Sequence, residues 1–89
     1  MPVRSDAHGA FGRAVRSFRT ERGLSQEALA FNCELDRTYV SGIERGERNP
    51  SLTNILKLAA ALEIKPAELF ARMEANGARP GTRATRRRG

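Results

Sequence analysis

The sequence predicts an all-α domain of five short helices, and three observations carry that reading. Apolar residues recur at helical spacing in several separate windows. Good N-cap residues and glycine or proline stops fall at the ends of those windows. No stretch alternates apolar and polar residues as a half-buried strand would.

The elements follow in order. In the first helix Phe11, Val15 and Phe18 fall at i, i+4 and i+7, and Gly23 ends the helix after a basic last turn at Arg22. Ser25 caps a short second helix, with Gln26 and Glu27 in its first turn and Ala28 and Leu29 facing inward. Asn32, Cys33 and Glu34 make a break, and Leu35 precedes the next start. Asp36 caps a third helix from Arg37 to about Arg45, with Val40 and Ile43 as its apolar pair. Residues Gly46 to Pro50 read as a loop. Ser51 caps a fourth helix in which Leu52, Ile55, Ala59 and Leu62 keep the helical period. Pro66 opens a fifth at its first position, where the missing N–H costs nothing, and Glu68, Leu69 and Phe70 follow. The expected core is Phe11, Val15, Phe18, Leu24, Leu29, Val40, Ile43, Leu52, Ile55, Leu58, Ala59, Leu62, Ile64, Leu69 and Phe70. A core this small leaves marginal net stability once chain entropy is subtracted, so such a domain gains from dimerising.

Length and charge set the organisation. Eighty-nine residues allow one small domain and exclude a catalytic domain with a separate lid. Residues 1–8 are expected to be a flexible N-terminus, 9–75 the folded domain, and 76–89 a disordered tail. The net charge is +6, but the tail holds five arginines and no acid, so residues 1–75 carry only +1. A strongly basic chain suggests a polyanionic partner; here the case has to rest on where the charges sit. The tail has three readings: an inert end, a nonspecific clamp on phosphates, or an arm in a minor groove.

Several function classes find no support. One cysteine excludes an internal disulfide and a cysteine-based zinc site, and His8 has no second ligand at metal spacing. No paired carboxylates, nucleophile–base motif or glycine-rich phosphate loop appears, so no enzyme is expected. The longest apolar run, Leu58 to Leu62, is far too short to span a membrane. No secretory signal is visible either, and a cytoplasmic location is expected. The sequence gives no sign of a cofactor, metal or small-molecule ligand.

The second and third helices, joined by a turn of three or four residues, form a helix-turn-helix arrangement, whose second helix lies in the DNA major groove. When the third helix is projected at 100° per residue, Val40 and Ile43 face inward. Thr38, Ser41, Gly42 and Arg45 point away, with Arg37 and Tyr39 on the flanks. The outward strip is polar, small and basic, which suits base edges. Gly42 has two readings: a close approach to a ligand, or close packing on a neighbouring element.

These residues carry a resemblance. The stretch Phe11-Gly12-Arg13-Ala14-Val15-Arg16, the stretch Arg22 to Ala30, and the later Ser41-Gly42-Ile43-Glu44-Arg45-Gly46, Asn49-Pro50-Ser51-Leu52 and Leu58 to Leu62 are similar to the lambda-repressor-like (Cro/repressor, or XRE) family. Over Leu35 to Arg45 the chain looks most like the controller proteins of restriction–modification systems. The resemblance implies a five-helix DNA-binding domain acting as a homodimer on two-fold symmetric double-stranded DNA. By motif position, Arg37, Thr38, Tyr39 and Ser41 would face the bases, with Arg37 bidentate to guanine. Ser25, Gln26, Arg45, Arg48 and Asn49 would lie along the DNA backbone, and Tyr39 could instead pack on the flank of the second helix. Arg19 and Glu44 would form a partly buried ion pair. The fifth helix, through Leu69, Phe70 and Met73, with the region before it, would make the dimer surface. Lys65, a poor N-cap, and the Arg-rich tail depart from the family pattern. The rival expectation is a DNA-binding antitoxin or protein adaptor with the same fold.

Overall fold

The computed structural model describes residues 6–77. Its elements are five helices: α1 (Asp6–Glu21), α2 (Gln26–Cys33), α3 (Arg37–Glu44), α4 (Leu52–Leu62) and α5 (Pro66–Ala75). No strand occurs among the described residues. The arginines of the tail lie beyond Gly77 and so outside the described residues, as do residues 1–5.

Three helix starts follow the same local chemistry. The Ser25 hydroxyl accepts from the Ala28 amide at 3.0 Å, Asp36 Oδ2 from the Thr38 amide at 2.9 Å, and the Ser51 hydroxyl from the Asn54 amide at 3.1 Å. Each satisfies an amide that has no partner inside its helix. Lys65 has no acceptor to offer; Glu68 instead reaches back to accept from the Lys65 amide at 3.5 Å. Two helix ends are less expected. Glu34 and Glu63 adopt the left-handed conformation, with φ of 56° and 60°. In each case the next residue folds back, the Leu35 amide donating to the Ala30 carbonyl and the Ile64 amide to that of Ala59. Leu35 and Ile64 then pack against the core, the apolar contact that accompanies this kind of cap.

The core gathers on α1. Ala10, Phe11, Ala14, Val15 and Phe18 are buried along one side of it, against Leu29, Val40, Ile43, Leu58, Leu62 and Leu69. Gly12 fixes how closely α3 approaches, because a Cβ there would lie 2.2 Å from the Ile43 carbonyl oxygen. Gly46, with φ of 77°, lets the turn after α3 close over Gly9, whose Cα would be 2.9 Å from a Cβ at residue 46. The α5 helix is fastened to α1 by Arg72. Its guanidinium lies 3.8 Å from the Phe18 ring centre, and Nη1 donates to the Ser17 hydroxyl and to Glu21 Oε2.

The structure corrects several expectations. The α1 helix begins at Asp6, so residues 6–8 belong to it rather than to a flexible terminus. Asn76, placed in the tail by composition, caps α5, and its side-chain amide donates to the Ala10 carbonyl at 3.2 Å. Leu52 is 69% exposed and Phe70 38% exposed, so neither is a core residue. Leu24, Ile55 and Ile64 are only partly buried. Leu69, expected at a dimer surface, is fully buried inside its own chain, and Met73 is partly buried against the same core.

Candidate nucleic-acid interface

The outward side of α3 presents two residues openly. Arg37 and Thr38, in its first turn, are exposed, while Val40 and Ile43 are buried on the opposite side. Ser41 and Tyr39 are half-buried, and Arg45, Arg48 and Asn49 are exposed beyond the end of the helix. A helix this short is held in place by its end residue. Glu44 is buried and accepts three bonds: from Arg19 Nε at 2.6 Å, Arg19 Nη2 at 3.0 Å, and Gln26 Nε2 at 3.0 Å. Arg19 also donates to the Leu24 carbonyl at 2.8 Å, so α1, the α1–α2 turn, α2 and α3 meet at one ion pair. The bond to Glu44 raises the Arg19 pKa above the ordinary guanidinium value, against the opposing effect of burial.

Gln26 therefore stands differently from its expected role as a phosphate ligand. Its amide N–H is turned inward to Glu44, and what it can still offer outward is its carbonyl oxygen and one further N–H. The exposed Ser25 hydroxyl is likewise occupied in capping α2.

Arg37, Ser41, Arg45, Tyr39 and Arg48 have partners of their own. Arg37 Nε lies 3.2 Å from Glu27 Oε2. Arg45 bonds the Ser41 hydroxyl, and its Nη2 donates to Glu47 Oε1 at 3.0 Å; the bond to Glu47 raises the Arg45 pKa. The Tyr39 hydroxyl accepts from Asn54 Nδ2 at 3.0 Å, which ties α3 to α4, and keeps its own O–H to donate. Arg48 lies over the Tyr39 ring, 5.7 Å from its centre. The stem of Arg48 also covers Gly42, where an added Cβ would lie 2.8 Å from Arg48 Cγ. Gly42 is thus buried rather than outward-facing, and its small size serves packing under a loop side chain. Acids stand beside the strip at both ends, Glu27 by Arg37 and Glu47 by Arg45, so it is not a uniformly positive surface.

Three arginines of α1 and the turn after it are engaged within the protein. Arg19 is committed to Glu44, Arg22 pairs with Glu63 at 3.3 Å, and Arg13 reaches the Asn76 carbonyl at 3.5 Å. Cys33 is buried, its thiol donating to the Leu29 carbonyl at 3.0 Å, and burial raises its pKa. No group of three or more His, Cys, Asp or Glu side chains suited to a metal ion occurs among the described residues. No described helix is long and apolar enough to cross a membrane.

A short α2, a tight turn, and an α3 with one buried and one polar face form a helix-turn-helix, and the helix-turn-helix family model matches residues 15–69. The chain belongs to the XRE-like helix-turn-helix family of DNA-binding regulators. It is 53% identical over 61 residues to the control protein C.BamHI of Bacillus amyloliquefaciens, covering 67% of this chain and 75% of that one. The crystal structure of the restriction-modification controller protein C.AhdI from Aeromonas hydrophila superposes with a TM-score of 0.69 at 63% identity, over 70% of this chain and 94% of that one. The controller protein C.Esp1396I, solved as a tetramer in complex with its natural 35 base-pair operator, gives a TM-score of 0.73 at 31% identity, over 79% of this chain and 92% of that one.

Sequence reasoning missed four contributors to this XRE-like site. Glu27 and Asn54 act on Arg37 and Tyr39 across helix boundaries, which no spacing within one helix reveals. Gly12 carried a visible signal, a glycine inside a helical period, yet its neighbour could not be named. The exposed Leu56 shares with Leu52 a second apolar side of α4.

Proposed function

We propose that this chain is a sequence-specific transcriptional regulator that binds a palindromic operator as a homodimer, of the restriction–modification controller kind. The observation that carries the reading is α3 itself: Val40 and Ile43 buried, Arg37 and Thr38 exposed, and its end held by the Glu44 cluster. A rigid helix with exposed donors at its start suits insertion into the major groove, N-terminus first. The relatives named above, one of them solved on its operator, support the same use.

In this reading Arg37 bonds guanine O6 and N7, and Thr38 reaches a neighbouring base edge. Ser41, oriented by Arg45, and the Tyr39 O–H border the contact. Arg45, Arg48 and Asn49 run along the phosphates, joined by the remaining donor of Gln26 and the α2 N-terminus at Ser25. The chain acts by occupying a site, without catalysis and without a cofactor, in the cytoplasm where such DNA lies. Its dimer surface is drawn from three of the exposed apolar residues, Leu52 and Leu56 on α4 and Phe70 on α5. Half-sites then lie about 34 Å apart, one turn of DNA.

Selection of bound duplexes from random DNA tests this reading. The expected product is one enriched, two-fold symmetric sequence with a guanine in each half. Enrichment of no sequence, with the fold intact, would overturn it in favour of a protein-binding adaptor.

A further inference from the structure

We infer that Glu27 is a positioning residue for base recognition, setting the direction in which Arg37 presents its guanidinium. The inference rests on the proposed role of Arg37 and goes beyond it by naming what orients that side chain.

Glu27 lies in the first turn of α2, and its Oε2 is 3.2 Å from Arg37 Nε at the start of α3. Both side chains are more than half exposed, at 68% and 55%. An ion pair so open to water adds little to folding stability, so stability alone gives no reason for it. Its geometry is more informative. Arginine can meet guanine O6 and N7 with its two terminal nitrogens, or with Nε and one of them. A carboxylate 3.2 Å from Nε crowds that edge of the guanidinium and favours the mode made by the two terminal nitrogens. Neither has another protein partner among the described residues.

Two further features agree. Arg37 occupies the first position of α3, where the helix dipole disfavours a cation, and Glu27 supplies the compensating charge from the neighbouring helix. Asp36, the other nearby acid, is engaged in capping the Thr38 amide and leaves Arg37 to Glu27. A long arginine side chain loses much freedom when it docks; holding it beforehand reduces that loss for the correct base alone. The same carboxylate repels phosphates at every sequence, which weakens binding to operator and other DNA alike. The first effect alone widens the gap between them.

The test uses the duplex recovered by selection and a scrambled control. Equilibrium binding to each is measured for the full chain and for Glu27→Gln, Arg37→Ala and the double variant, with melting curves as a check on folding. Glu27→Gln should bind scrambled DNA about two- to three-fold more tightly, and its operator-to-scrambled ratio should fall roughly five-fold, part of what a bidentate pair contributes. On the Arg37→Ala background the same change should leave the ratio where it stands. If Arg37→Ala abolishes discrimination and Glu27→Gln leaves it intact, the positioning role is overturned and the proposed function survives. An equal loss from Glu27→Gln with and without Arg37 also overturns it. If Arg37→Ala leaves the ratio unchanged, the base-reading role falls, and the inference with it.

Discussion

Arg19 and Glu44 face each other across α1 and α3 in a two-pronged pair, Nε to Oε2 at 2.6 Å and Nη2 to Oε1 at 3.0 Å. Their side chains are 11% and 3% exposed, so neither charge has ready access to water if the other is removed. Breaking such a pair costs far more than the pair itself contributes, because it strands a buried charge. Glu44→Ala should therefore destabilise the fold by about 3 kcal/mol and lower Tm by roughly 10–20 °C. Replacing both residues by apolar side chains of similar size should cost less than Glu44→Ala alone. Thermal unfolding followed by circular dichroism measures both.

Gly12→Ala tests the α1–α3 approach. A Cβ at residue 12 would lie 2.2 Å from the Ile43 carbonyl oxygen and 2.6 Å from that of Glu44, both backbone atoms that cannot step aside singly. The helix-propensity gain of ~1 kcal/mol for alanine is outweighed by overpacking of about 3 kcal/mol. Gly23→Ala is the control: its φ of 70° is unfavourable for alanine, but no atom lies within 4 Å. It should cost about 1–2 kcal/mol by urea denaturation.

The buried Cys33 thiol gives a pH dependence. Burial raises its folded pKa, so the unfolded chain loses the thiol proton first as pH rises. The folded state then holds more protons than the unfolded state, and stability falls with increasing pH. The contribution is fully present below the ordinary thiol pKa and is lost as pH climbs through the raised folded value. A thiol reagent should accordingly label the native protein slowly at pH 8 and the urea-unfolded protein quickly. Cys33→Ala should flatten the alkaline part of the stability curve.

Leu56→Asp separates folding from assembly. Leu56 is 47% exposed and shares the open side of α4 with Leu52, so a charge there is tolerated in the single chain. Sedimentation equilibrium should show a shift from dimer to monomer, with Tm at low concentration nearly unchanged and operator affinity reduced at least ten-fold. An unaltered dimer would move the interface away from α4.

Much of this was legible in the sequence, for reasons that are local. Ser25, Asp36 and Ser51 announce helix starts because their side chains act within three residues of themselves. Val40 and Ile43 mark the buried side of α3 because the helical period fixes which residues share a face. The left-handed ends at Glu34 and Glu63 were not legible. There the packing of Leu35 and Ile64 overrides the reluctance of glutamate to adopt that conformation. The α4 helix carries apolar residues on two sides, so periodicity could not say whether Leu52 or Leu58 would be covered. Leu69 and Phe70 are adjacent, yet only Leu69 enters the core, which separates two residues that the sequence assigned together. In the same way Gln26 reads from its motif as a phosphate ligand. Its bond to Glu44 depends on how α2 and α3 meet.

Methylation interference on the selected duplex tests most directly whether α3 reads bases in the major groove. Dimethyl sulfate modifies guanine N7, the atom that Arg37 is expected to contact, and adenine N3 in the minor groove. The expected pattern is interference at one guanine N7 in each half-site, the two about one helical turn apart, and relieved in Arg37→Ala, whose binding no longer depends on that atom. Interference confined to adenine N3, or a guanine pattern unchanged by Arg37→Ala, would contradict recognition through α3.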